Sequence, residues 1–382
     1  MPFLNRVVEV AASPTGAFAA LRRDPPPPPI DRGSSTVRTI QYDMENLETW
    51  LACQPDDERG DNSFAVQQIW NNADEDETGP NIESNYFSRL LRAVNQIPTT
   101  DDPFPSRQIP TLKGANIAVI SSLTPSPIAW VHLSIMCARS EILRVLVLGE
   151  APNGKHEGNV RISYVSSPQG SSLLGSLHFA GTHPLSILIL MHYLYTDAVI
   201  AIWDRRIWLT QGKEYRQWEQ TYSIPIVKAE LQVLAKLLGL PALFEVIQFA
   251  TQRTPTPTLS ADLTKTWIAV RRSQFQTVEP IPDPDFTIPC DLILRLSAHL
   301  VYCSSAVLRA RSPFFEALLN DPDWTRKRWQ PIETAHGTIN TLVINLDHLE
   351  WRSMEYVLRF MCNGVDDPSL LDDVGEHYDI HN

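Results

Sequence analysis

The sequence predicts an α+β chain containing two diverged copies of one small sheet-and-helix unit. Three observations predict it. A helix-like segment with Ala-Arg-Ser at its centre occurs twice, as SIMCARSEILRVLV from Ser134 to Val147 and as AVLRARSPFFEALL from Ala306 to Leu319. Each is preceded by two short β-rich runs, and each is followed by a further strand-like run and a strongly apolar helix. A unit repeated in this order fixes the architecture before any single motif is interpreted.

The first copy opens with Ile117 to Ile120 and Ile128 to His132, two short runs separated by polar and proline residues, which reads as a hairpin. The Ala-Arg-Ser helix follows at once. Gly175 to Phe179 is the next strand, and HPLSILILMHYLYTD from His183 to Asp197 is the apolar helix, with Pro184 suited to the first turn. In the second copy the strands are Leu292 to Leu296 and His299 to Tyr302. Ser304 stands where a hydroxyl could cap the next helix. Val307, Phe314, Phe315 and Leu318 mark its buried face, and Pro313, which lacks a backbone donor, divides it into two shorter helices. Thr341 to Leu346 is the last strand and EWRSMEYVLRFMCNG from Glu350 to Gly364 the last helix.

The segments around the copies divide the chain further. Residues 1–110 are expected to be largely disordered, with a polyproline run at Pro25 to Pro29 and acidic stretches at Asp56 to Asp61 and Asp74 to Thr78. Within them, Tyr86, Phe87, Leu90, Leu91 and Val94 recur at helical spacing, so Asn81 to Asn95 is expected to dock on the first copy. The first unit covers 111–250 and includes trailing helices over Lys228 to Phe249, interrupted at Gly239-Leu240-Pro241. Residues 251–284 read as a Pro/Thr linker, 285–366 as the second unit and 367–382 as an acidic tail. No closing helices follow Gly364, so the apolar end of the second unit is expected to be less covered than that of the first.

Composition narrows the function classes. A net charge of −12 argues against electrostatic capture of nucleic acid. The five cysteines show no paired framework, which fits reduced thiols in cytoplasm or nucleus. The most apolar stretch, Leu185 to Leu194, is far shorter than the ~20 residues of a spanning helix. The start has three arginines and one acid, a pattern shared by transit peptides and disordered tails; the tail is the preferred reading.

No catalytic, metal or cofactor site is expected. His178, His183 and His192 lack the i, i+4 spacing of helical metal ligands. Ser140 and Ser312 lack the sharp turn of a nucleophile elbow. Cys137 and Cys303 lie in apolar surroundings, where inert packing is the default. Trp324, Trp329 and Trp351, with Arg326, Lys327 and Arg328, form an aromatic and basic group suited to an interface or to plain edge packing. Arg139 and Arg311 are expected to pair with acids inside the fold.

These residues resemble the BTB/POZ family. Its helix pattern of His, three residues, Leu, two residues, Arg-Ser and then an aromatic is matched by His132, Met136, Arg139 and Ser140, and again by Leu308, Arg311, Ser312 and Phe315, with Ser304 in the His position. Asp291 matches the acidic start of the first strand, where the first copy has Asn116. Tyr195-Thr196-Asp197 matches the Tyr-Thr-Gly helix ending. His183-Pro184-Leu185 and Trp203-Asp204-Arg205-Arg206 are similar to the tandem BTB region of fungal proteins carrying ankyrin or chromosome-condensation-regulator-like repeats. The resemblance implies two BTB/POZ domains, each a small sheet flanked by helices. It implies an adaptor that recruits substrates to a cullin-RING ubiquitin ligase, the third cullin being the usual partner. The cullin-facing surface would lie on 133–148 and 184–195, with Leu148, Glu150 and Tyr195 as contacts. The alternative is a scaffold outside ubiquitin chemistry that binds other BTB proteins or assembles as a homo-oligomer. A transcriptional role would need a DNA reader, and none is visible.

Overall fold

The computed structural model describes residues 7–12, 18–22, 40–51, 79–95, 97, 114–124, 126–148, 156–157, 160–164, 175–209, 223–271, 290–334 and 337–363. The chain divides into two parts, Met1–Arg38 and Thr39–Asn382. In the first, β1 (Val7–Ala12) and β2 (Phe18–Arg22) form an antiparallel hairpin.

The second part holds both copies. It begins with α1 (Ile40–Glu45), a 3-10 turn (Thr49–Leu51) and α2 (Gly79–Asn95). The first copy then runs β3 (Ile117–Ser121), β4 (Ala129–Val131), α3 (Leu133–Arg139), α4 (Glu141–Leu148), β5 (His156–Glu157), β6 (Val160–Tyr164), β7 (Gly175–Phe179) and α5 (Pro184–Thr196). It is closed by α6 (Arg205–Leu209), α7 (Ile224–Leu237) and α8 (Pro241–Ile247). Next come α9 (Leu259–Leu263), a 3-10 turn (Thr264–Thr266) and β8 (Trp267–Arg271). The second copy runs β9 (Leu292–Leu296), β10 (His299–Cys303), α10 (Ser305–Arg311), α11 (Pro313–Asn320), α12 (Pro322–Arg326), β11 (Trp329–Thr334), β12 (Gly337–Leu346) and α13 (Trp351–Asn363). The protein is therefore α+β.

The two sheets repeat down to register. Their orders are β4-β3-β7-β6-β5 and β11-β12-β9-β10-β8. Ile117 lies opposite Val131 in the antiparallel pair and beside Gly175 in the parallel pair. Leu292 lies opposite Cys303 and beside Leu342 in the same two relations. A one-residue slip would turn every side chain to the wrong face, so matched registers mean matched cores.

Local chemistry repeats as well. Asn116 Oδ1 accepts from the Leu133 backbone N–H at 2.9 Å, and Asp291 Oδ1 from that of Ser305 at 2.7 Å. Each thus satisfies an otherwise orphaned first-turn donor of α3 or α10. Burial of Asp291 raises its pKa, a desolvation cost that neutral Asn116 avoids. Ser304 does occupy the N-cap position, but its hydroxyl makes no cap bond. It meets Ser134 Oγ of the first copy at 2.6 Å instead. Ser140 and Ser312 do not lie inside a helix as the sequence suggested. Each ends one helix and starts the next, its hydroxyl accepting from Leu143 N (3.2 Å) or Phe315 N (3.4 Å). The break is the same where Glu141 stands in place of Pro313, so the serine accounts for it in both copies.

Two segments depart from expectation. Within the N-terminal region expected to be largely disordered, 40–51 is helical and Met44 and Leu47 are fully buried in the main core, whereas the helix 79–95 docks on the first copy as its spacing predicted, with Phe87 and Leu90 buried. Within the expected linker, β8 pairs antiparallel with β10 over five residues and is a strand of the second sheet.

Because Asn116 and Asp291 perform one task, Asn116→Ala and Asp291→Ala should each cost about 1–2 kcal/mol. Urea unfolding of the two variants should show similar midpoint losses; an unchanged midpoint in either would contradict the shared role.

Candidate interaction surfaces

The centre of the second part is where the copies meet. α1 packs on α5 of the first copy and on α10 of the second, while α9 packs on α13 of the second and on α3 of the first. Each leading helix thus touches its own copy's last helix and the other copy's Ala-Arg-Ser helix. Ala306, Val307 and Cys362 of the second copy join the first copy's residues in one continuous core.

Two buried arginines tie this junction. The Arg139 side chain is 1% exposed, and its guanidinium has a partner for each of its N–H groups. Nε donates to Leu194 O (3.0 Å) and Nη2 to Tyr193 O (3.4 Å) and to the Asp197 carboxylate. Nη1 donates to Thr258 Oγ1 and Asp262 Oδ2, both at 2.7 Å. Arg311 repeats the arrangement, with Nε to Met361 O (3.0 Å), Nη2 to Phe360 O (3.5 Å) and Nη1 to Asp43. Each guanidinium therefore caps the last-turn carbonyls of α5 or α13. Each also binds an acid from the leading helix of the other copy: Asp262 in α9 for Arg139, Asp43 in α1 for Arg311.

Asp197 explains a departure in the sequence. It sits at the C-cap of α5 with φ 59°, a left-handed conformation that usually takes glycine. Its carboxylate accepts from the backbone N–H groups of Thr258 (2.8 Å) and Leu259 (2.7 Å) as well as from Arg139. Aspartate accepts the backbone cost because it fastens the start of α9.

Tyr195 needs correction. It was expected to face a partner, but it is fully buried. Its hydroxyl accepts from His132 N–H at 3.0 Å and lies 2.7 Å from His132 Nδ1. Trp50 packs edge-on against its ring at 5.7 Å. Burial raises the phenol pKa. Residues 184–195 as a whole are buried, under α1, α2 and α7, and offer no open face. Of 133–148, the α3 residues are buried, whereas Glu141 is exposed and Ile142, Arg144, Val145 and Val147 are half-buried on α4. The Leu148 side chain and Glu150 lie outside the described residues. His132, Leu308 and Phe315 are core residues.

A second buried polar group fastens the N-terminal segment. Glu48 Oε1 lies 2.6 Å from His192 Nδ1 on α5, and Tyr86 of α2 donates to Glu48. Burial holds the His192 ring at about 4 and pushes Glu48 well above its ordinary value. The neutral imidazole and the neutral carboxyl thus share one proton. Thr49 Oγ1 then bonds both Trp130 O (2.7 Å) and Trp130 N (3.2 Å) on edge strand β4. Ile268 of β8 occupies the equivalent place opposite Tyr302 of β10. The spacing of Ile40, Met44, Leu47 and Trp50, and the β-rich run Trp267 to Val270, were the available signals for these two segments.

The tryptophans do not converge. Trp351 packs on Trp267 (5.8 Å) and His299 (5.5 Å), whereas Trp324 carries Arg328 over its ring. An open cavity of about 450 Å³ lies beside Arg139, bounded by Arg144, Tyr193, Thr258 and Lys265 among others. Arg144 is tied to Glu141 and Lys265 to Asp262. Among the described residues no cluster of three or more His, Cys, Asp and Glu could hold a metal ion, and no helix is long and apolar enough to cross a membrane.

Removing Arg139 takes the guanidinium from the buried Asp197 carboxylate and removing Arg311 takes it from buried Asp43, so Arg139→Ala and Arg311→Ala should each cost about 3–5 kcal/mol. Asp43→Leu with Arg311→Met should recover most of the Arg311→Ala loss in urea melts. The Glu48–His192 pair sets a pH optimum. Between the ordinary values of 4.5 and 6.5 the unfolded pair also carries one proton, so its contribution is flat there. Above 6.5 the unfolded pair loses that proton, so stability falls as pH rises toward the raised folded value of Glu48. Below 4.5 the unfolded pair holds two protons, and stability falls again. Glu48→Gln should reduce the alkaline loss, measured as urea midpoint between pH 6.5 and 9.

No protein-family profile matches the chain. It is similar to BTB/POZ domain-containing protein 1 of Schizosaccharomyces pombe, at 26% identity over 389 aligned residues. The alignment takes in 99% of this chain and 24% of that protein, so the chain spans about a quarter of the length of the relative it matches.

Proposed function

We propose that the chain is a protein-interaction module of the BTB/POZ class, in which two such units pair with each other inside one chain. The observation that carries this reading is the reciprocal pairing of Arg139 with Asp262 and Arg311 with Asp43 across the copies. Similarity along 99% of this chain to a quarter of a BTB/POZ protein supports the family. Surfaces that two separate chains could use to pair are occupied within the one chain, which favours a scaffold over a homo-oligomer. The buried free thiols Cys137, Cys303 and Cys362 suit a reducing compartment, cytoplasm or nucleus.

A cullin adaptor is the second reading. It rests on α4, whose outer side is partly open, and on Leu148-Gly149-Glu150 at its end. Tyr195, being core, drops out of the contact set.

Light scattering of the purified chain should give a monomer of 43.1 kDa at micromolar concentration; a stable dimer would overturn pairing within the chain. Pull-down with the N-terminal domain of the third cullin separates the readings. Capture that Glu150→Ala abolishes establishes the adaptor, and no capture by the intact chain removes it.

A further inference from the structure

The second copy leaves open a face that the first copy covers. In the first copy, Leu190 and Tyr193 of α5 are buried, and they share a helix stripe with Ser186, whose hydroxyl donates to Glu230 of α7 at 2.5 Å. Ile142 of α4 completes the face beneath Gly239, in the turn between α7 and α8. The matching positions are Ser353, Val357 and Phe360 on α13 and Phe314 on α11. Phe314, Val357 and Phe360 are 64%, 41% and 46% exposed. Three large apolar side chains on one face, at positions covered by a helical hairpin in the sister copy, define a docking surface by the protein's own precedent.

Charge decides what fits there. Arg144 of α4 is replaced by Glu316 on α11, and His183, which pairs with Glu230 at 2.6 Å, is replaced by Glu350. Glu316 and Glu350 are both exposed, and Arg359 on the same helix is engaged by Glu355 at 2.8 Å. The position that meets the hairpin's Glu230 on the covered face is thus acidic on the open one, where Arg352 is the exposed base. A second copy would set these acids against themselves. Residues 364–382 carry six acids and no lysine or arginine and are mismatched in the same way.

The geometry points to a partner protein that lays an amphipathic helical hairpin across α11 and α13, with a Leu/Val stripe on Phe314, Val357 and Phe360 and lysine or arginine opposite Glu316 and Glu350. This assignment stands on the repeat and does not depend on the family reading.

A labelled synthetic peptide of residues 223–250 carrying Glu230→Lys serves as the probe, because its parent hairpin covers the matching face and the lysine answers Glu350. Fluorescence anisotropy with the full chain should show saturable binding, and the unsubstituted peptide should bind more weakly. The chain variant Phe314→Glu/Phe360→Glu should bind at least about tenfold more weakly while keeping the circular dichroism and melting temperature of the parent, both residues being exposed. No binding, equal binding by both peptides, or binding that survives the double variant would each overturn the proposal. So would a concentration-dependent dimer in sedimentation that the double variant abolishes, since the occupant would then be a second copy.

Discussion

The rest of the structure depends on a buried guanidinium that has to find a partner for its charge and all its hydrogens. An arginine taken out of water is tolerated only when its charge is paired and its N–H groups are bonded. Each copy meets part of that demand with the last carbonyls of its own final helix. Neither has a carboxylate on its Ala-Arg-Ser helix to meet the rest. Arg139 takes one acid, Asp197, from its own copy and a second, Asp262, from the helix that leads into the other, while Arg311 takes Asp43 from the helix that leads into the first, so these side chains tie the two units together. The shared core around Ala306, Val307 and Cys362 and the serine pair at 2.6 Å occupy the space this arrangement creates.

The same demand organises the leading segments. α1 and α9 each deliver an acid across the junction and then return along their own copy's edge strand. At β10 the return is a full strand; at β4 the hydroxyl of Thr49 takes both backbone groups of Trp130. Exposed strand edges invite pairing with other chains, and both inner edges are closed by different means. Where a trailing hairpin closes the first copy, His183 and Ser186 are both tied to Glu230. The positions matching them in the second copy lie on its open face.

The repeat was legible because its signals are short-range: apolar spacing, the Arg-Ser pair and a proline at a helix start all act within a few residues. Three strands of each copy and the final helices followed from the same patterns, whereas β5, β6, β8 and β11 did not. The crossed pairs were not legible. Asp43 and Arg311 are 268 positions apart in a chain with 44 acidic residues, and no local pattern marks one aspartate from another. Tyr195 was misplaced for a related reason. Its position in a family motif says nothing about Trp50, which arrives from a segment that composition had assigned to disorder. The linker reading of 251–284 took its weight from the Thr-Pro alternation and passed over the β-rich run after it.

The crossed pair between α1 and α10 also sets an order of events during synthesis. Asp43 leaves the ribosome long before Arg311, so this ion pair cannot form while the first copy is folding. Until the second copy has been made, the leading helix can lodge its apolar side chains on α5 but not on α10. Contacts of such separation form late, and surfaces waiting for them are exposed to misassembly. The contact that α1 makes with α10 closes only after the 268-residue span between its partners has been made.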